Sequence, residues 1–159
     1  MTPEQIRASL SPVLLLLMAS VAAPAIAAPP DACSLLSVDD INKLAKGGDA
    51  VRAEKKAGGA ESQCNFMKQG GDNVANITLR EVADAAAEFK FAAQIPMKMY
   101  KKPVKPITGI GDEAFWADNQ QMVVFRKGKT LVHTYFGGSK YGGEPNTVAL
   151  AKAVAEKLK

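Results

Sequence analysis

Ser62-Gln63-Cys64-Asn65-Phe66-Met67-Lys68, the turn Gly70-Gly71-Asp72-Asn73, and then Ala75-Asn76-Ile77-Thr78-Leu79-Arg80 decide the architecture of this chain. Alternation places Cys64 and Phe66 on one face of the first segment. In the second it turns Ala75, Ile77 and Leu79 inward, with Asn76, Thr78 and Arg80 outward. A period of two interrupted by adjacent glycines is the pattern of a half-buried antiparallel hairpin. Asn76-Ile77-Thr78 also spells a glycosylation acceptor, but within an internal strand the match is read as coincidence.

Downstream, Ala83 to Ile95 is alanine-rich, with Ala85, Phe89, Ala92 and Ala93 at helical spacing, and Pro96 is expected to end or kink that helix. Lys98 to Pro106 combines Lys98, Lys101, Lys102 and Lys105 with two prolines and reads as an extended surface connection. Three strands follow, Glu113 to Asp118, Gln121 to Lys127 and Thr130 to Gly137, separated by the turn signals Asp118-Asn119 and Lys127-Gly128-Lys129. The glycine-rich stretch Gly137 to Gly143 reads as a connector. Pro145 to Leu158 then forms a last helix, with Val148, Leu150, Ala151, Val154, Ala155 and Leu158 as its core stripe.

Upstream of the hairpin, Val51 to Lys56 suits an edge strand before the Gly58-Gly59 break. Before it, Ser37 caps a short helix that carries Asp39 and Asp40 in its first turn and stops at Gly47-Gly48. The order is α-β-β-β-α-β-β-β-α, and hairpin-connected strands with helices between them predict an α+β fold. The expectation is a single domain with a mainly antiparallel sheet of five to six strands and helices packed on one face.

At the N-terminus, Val13 to Ala23 is almost wholly apolar and leads through Pro24 to Ala25-Ile26-Ala27, which fits an A-x-A cleavage site. Residues 1–27 therefore read as a signal peptide, and 28–159 as the exported domain, periplasmic or secreted. The apolar run is about half the roughly 20 residues that a membrane span needs, so no transmembrane anchor is expected after processing. Pro30-Asp31-Ala32 ahead of Cys33 argues against a lipid-attached cysteine.

Export puts Cys33 and Cys64, the two cysteines, in an oxidising compartment, where a lone pair is expected to form a disulfide worth about 3–4 kcal/mol. A redox role would need a spacing such as C-x-x-C to lower a thiol pKa, which this chain lacks. The processed chain of about 130 residues is one ordinary domain. Its formal charge of +4 survives processing, because Glu4 and Arg7 leave together, and it suits anionic partners. No nucleic-acid reader motif accompanies it, so nucleic acid is not expected as a partner.

Cys33-Ser34-Leu35-Leu36-Ser37 before a short helix, Cys64-Asn65-Phe66 on a strand, and Gly109-Ile110-Gly111-Asp112-Glu113-Ala114-Phe115-Trp116 opening the later strands supply a resemblance. In their order and spacing they resemble a family of small exported bacterial proteins of unknown function, many of them actinobacterial lipoproteins. The resemblance covers nearly all of the processed chain. It implies a Cys33–Cys64 bridge and an α+β envelope domain, and it carries over no active-site residue. The lipid-attachment motif of those lipoproteins is missing here.

Enzyme chemistry is hard to assemble from these residues. His133 is the one histidine, which excludes most metal sets, and no cofactor motif appears. Ser34, Ser37, Ser62 and Ser139 sit in cap, strand or loop contexts with no nucleophile elbow. Asp112 and Glu113, as neighbours on a strand, point to opposite faces and do not flank one bond. Gly137 to Gly143 holds Lys140 without the order of a P-loop. Candidate binding residues are Lys98, Lys101, Lys102 and Lys105, beside Met97, Met99 and Tyr100. Trp116 joins them if it shares an open sheet face with His133 and Tyr135, although packing of Trp116 beneath a helix or loop is preferred. The expected function is a non-catalytic extracytoplasmic binding module for an anionic envelope component or a protein. A small periplasmic hydrolase or transferase with an unfamiliar site is the alternative.

Overall fold

A computed structural model describes residues 28–159; the signal-peptide reading of 1–27 lies outside the described residues. A 3-10 turn at Ala32–Ser34 precedes helix α1 (Val38–Leu44) and strands β1 (Ala50–Gly58), β2 (Glu61–Lys68) and β3 (Asn73–Glu81). Helix α2 (Ala85–Tyr100) leads to β4 (Lys105–Ile107), β5 (Glu113–Ala117), β6 (Met122–Lys127) and β7 (Thr130–Phe136). A single turn, α3 (Gly138–Tyr141), and helix α4 (Glu144–Lys157) end the chain. Among the described residues no helix is long and apolar enough to cross a membrane.

The strands form one antiparallel sheet in the order β1-β2-β3-β7-β6-β5-β4. The hairpin forms as its alternation dictates, with Cys64 opposite Ile77 and Phe66 opposite Ala75, and positive φ at Gly70 and Gly71 makes its turn. Seven strands stand where five to six were expected, and four instead of three follow α2. The additional strand is β4, taken from the lysine-proline segment expected to be a surface connection. Its three residues pair with β5, Pro106 facing Phe115, and a proline is tolerated there because this is an edge.

The sheet buries both faces. On the first, Cys64, Phe66, Ile77, Leu79, Trp116, Val123, Phe125, Val132 and Phe136 pack with Ile41 of α1 and Leu150, Ala151 and Val154 of α4. On the second, Phe115, Ala117, Val124 and Leu131 pack against Phe89, with Ala92 and Ala93 of α2 alongside. The expectation of helices on one face is thus corrected. The connection from central β3 to edge strand β4 has to travel back over β7, β6 and β5, and α2 makes that journey across the second face.

Local chemistry fixes each helix. Ser37 and Asp40 form a reciprocal capping box on α1, and Asp84 accepts a 3.0 Å hydrogen bond from the Ala87 amide at the start of α2. The α2 helix does not stop at Ile95. Pro96 removes only the donor that would reach the Ala92 carbonyl, and one more turn forms before Lys101 closes the helix at φ 58°. At the other end of the fold, Lys127 of β6 donates to the carbonyls of Ala155, at 2.9 Å, and Leu158, so a strand side chain caps the last turn of α4.

The N-terminal segment is stapled to the sheet. Cys33 and Cys64 form a disulfide, the Ala32 amide donates to Ser62 Oγ at 3.0 Å, and Lys55 pairs with Asp31 at 2.8 Å. The bridge holds the chain ahead of α1 against the first face, and it fits an extracytoplasmic protein.

Candidate functional site

The α2 helix has two unlike sides. Ala85, Phe89, Ala92, Ala93 and Pro96 turn toward the sheet, spaced by three and four residues. At 100° per residue, Lys90, Phe91, Gln94, Met97 and Lys98 fall on the opposite arc. All are exposed. Phe91 is 58% exposed, Met97 46%, Met99 67% and Tyr100 50%, a concentration of bulky apolar side chains in water on one helix. Lys98 Nζ stands 5.8 Å from the centroid of the Phe91 ring, within cation–π range.

The predicted lysines divide between two places. Lys98, Lys101 and Lys102 stay together at the end of α2 and in its exit, and among the described residues no carboxylate lies within salt-bridge distance of them or of Lys90. Lys105 departs. On β4 it pairs across the sheet with Trp116, on the first face, and its ammonium meets Glu144 at the start of α4 at 2.7 Å. Lys101 adopts a left-handed conformation that glycine would enter with less strain. Its backbone amide donates to the Met97 carbonyl at 3.1 Å and closes the helix, while its side chain is exposed.

Trp116 does not join His133 and Tyr135. It is buried on the first face, in register with Val123 and Thr134, while His133 and Tyr135 lie on the second with Phe115 and Val124. Phe115 and Trp116 are both buried, because both faces are covered.

Beside the apolar strip under α2, the second face turns polar. Asn65 Oδ1 accepts from Asn76 at 2.8 Å, Asn76 Oδ1 accepts from the Thr78 hydroxyl at 3.0 Å, and Asn73 donates to the Tyr135 hydroxyl at 3.2 Å. Asn76 is buried, which withholds the glycosylation sequence from solvent. His133 lies opposite Thr78 on β3 and Val124 on β6, and its Nε2 is buried without a hydrogen-bond partner among the described residues. Burial first, and the charge of Arg80 second, hold its pKa below the usual histidine value. That favours a neutral imidazole, but a general base also needs a nucleophile or substrate proton within reach, and the one hydroxyl among its strand partners, that of Thr78, is donated to Asn76 instead.

The carboxylates and the glycine-rich loop are occupied structurally. Arg126 bonds Glu113 at 3.1 Å and Asp112 at 2.9 Å, and the Gly128 amide donates to Asp112 at 2.9 Å. The Tyr141 hydroxyl donates to Asp49, whose carboxyl is held below its usual range by that bond first and by Lys140 as well. This latch joins α3 to the start of β1. Among the described residues no three His, Cys, Asp or Glu side chains gather as a metal set. An apolar groove of ≈ 400 Å³ runs between α2 and the β4–β5 edge, lined by Phe89, Ala93, Val104, Pro106 and Phe115.

Lys90 and Phe91 escape a reading that treats the lysine segment as a loop separate from the helix. Continuing the helical period past Pro96 would have aligned Lys90, Gln94, Met97 and Lys101, and Phe91 with Lys98. No protein-family model, curated protein or solved structure matches the chain.

Proposed function

We propose that this chain is a non-catalytic interaction module acting outside the cytoplasm, which contacts an anionic component of the cell envelope through the outer side of α2 and its exit. One observation carries the reading: Phe91, Met97, Met99 and Tyr100 stand exposed among Lys90, Lys98, Lys101 and Lys102. Exposed apolar groups gathered on one element mark interaction surfaces, and lysines beside them, without a carboxylate partner among the described residues, select for negative charge. The Cys33–Cys64 bridge and the +4 charge support an extracytoplasmic place and an anionic partner. The bridge and the α+β fold also support grouping the chain with the small exported bacterial proteins that it resembles.

The alternative, a small hydrolase or transferase, draws on the unpartnered Nε2 of His133. It lacks an orienting carboxylate or a nucleophile hydrogen-bonded to that ring, so the binding reading is preferred.

The test is retention on envelope fractions at low and moderate salt. The variant Lys98→Gln/Lys101→Gln/Lys102→Gln should lose most of its retention, and Lys105→Gln, which breaks the pair with Glu144, should keep it. Equal retention of the triple variant and the wild type refutes the reading.

A further inference from the structure

Resting on that reading, we infer that the partner is an anionic lipid bilayer, on which α2 lies flat with its outer side in the headgroup region. The distribution of residue types distinguishes this occupant from the others. A protein-binding patch concentrates apolar groups at its centre and leaves charge to the rim. Here lysine and apolar side chains alternate along one arc, Lys90, Phe91, Met97 and Lys98, and continue into Met99, Tyr100, Lys101 and Lys102. A soluble polyanion would engage the lysines and leave Phe91, Met97 and Met99 in water. A bilayer surface satisfies both sets: the apolar groups enter the acyl boundary, and the lysine stems extend upward to place their ammonium groups among phosphates.

The fold presents the helix for this. Phe89 and Pro96 face the sheet, so the opposite arc points away from the domain body. With no carboxylate in salt-bridge range among the described residues, the four ammonium groups are open to headgroup phosphates, and the left-handed backbone of Lys101 ends the helix there.

The test is co-sedimentation of the disulfide-intact 28–159 chain with vesicles of equimolar phosphatidylglycerol and phosphatidylcholine, and with phosphatidylcholine alone. Binding is expected to the first and not the second, and to weaken as ionic strength approaches about 1 M, where the screening length falls to about 3 Å. Each lysine near the surface is worth about fivefold in affinity, so Lys98→Gln/Lys101→Gln/Lys102→Gln should bind about 100-fold more weakly. Phe91→Ser/Met99→Ser should lose about tenfold or more at constant charge. Thermal melts of both variants confirm that they are folded.

Absence of binding to the anionic vesicles overturns the inference, and so does wild-type affinity in Phe91→Ser/Met99→Ser. If vesicle binding fails while lysine-dependent retention on envelope fractions persists, the lipid assignment falls and the module reading stands. If that retention is also independent of the lysines, both fall.

Discussion

Replacing Cys33 and Cys64 together by alanine tests how the fold is held at its N-terminal end. The bridge spans a sequence separation of 31 residues, and closing a loop of that length lowers the entropy of the unfolded chain by an amount worth about 3.7 kcal/mol at 25 °C. Cys64 is fully buried among the first-face core residues, and deleting its sulfur adds about 0.5–1 kcal/mol of lost packing. The expected loss is thus about 4–5 kcal/mol, a large share of the 5–15 kcal/mol by which such domains are stable. Equilibrium urea unfolding of oxidised wild type, reduced wild type and the double variant measures it. With a slope near 2 kcal/mol/M, the midpoint should fall by about 2 M. Because the effect arises in the unfolded chain, the slope itself should rise as the released loop expands. A loss below about 1 kcal/mol in the double variant, or a reduced protein with the midpoint of the oxidised one, would refute the reasoning.

Three further outcomes are expected. At Gly137 an added Cβ would sit 1.9 Å from the Asn73 carbonyl oxygen, so Gly137→Ala should cost about 2–3 kcal/mol by forcing β3 and β7 apart; urea stability within 0.5 kcal/mol of wild type would show that the approach is not rigid. Lys127→Met removes a charged donor from the Ala155 and Leu158 carbonyls, and about 1.5–3 kcal/mol should be lost, with amide exchange accelerating first in the last turn of α4. His133 is held below its ordinary pKa by burial and then by Arg80, so the unfolded chain binds its proton more readily than the folded one. Stability from this group is complete above the unfolded value near 6.5 and declines as pH falls from there toward the folded pKa. His133→Gln should flatten that part of the profile, and an unchanged decline would assign it to carboxylates.

The hairpin, the capped first helix and the last helix were legible because each depends on neighbours in sequence, and the disulfide because two cysteines leave a single pairing. The period of two sets which side of β2 and β3 is buried, and Ser37 with Asp40 closes its own capping box within one turn. What the sequence withheld were relations between distant segments. That α2 lies on the face opposite α1 and α4 follows from β4 pairing at the far edge, and a three-residue strand containing Pro106 leaves almost no local pattern. The burial of both Phe115 and Trp116 likewise depends on that second layer, since one of them would be exposed if helices covered one side alone. Pro96 misled for a physical reason: a proline costs one donor, and a helix anchored by Phe89 tolerates the loss where an isolated one would not. The same local view divided one exposed surface into a helix and a loop.

The distribution of side chains on α2 is itself an argument about function. Its sheet-facing stripe is buried Ala85, Phe89 and Pro96 with half-buried Ala92 and Ala93, while Phe91, Met97, Met99 and Tyr100 are exposed. A helix present only to cover the sheet would place the larger residues inward, where each large aliphatic or aromatic side chain is worth roughly 1.5–3 kcal/mol of burial, and alanine or charge outward. The arrangement forgoes that stability and keeps an apolar surface that invites aggregation. The binding surface proposed above accounts for it, since function commonly holds residues that stability alone would replace. Phe91→Gln/Met97→Gln/Met99→Gln should therefore unfold within about 0.5 kcal/mol of wild type and remain soluble at higher concentration, while losing vesicle binding. Urea denaturation and light scattering measure the two quantities. A loss of more than about 2 kcal/mol would mean that these side chains pack within the domain, and the case for an outward-facing binding surface would fail with it.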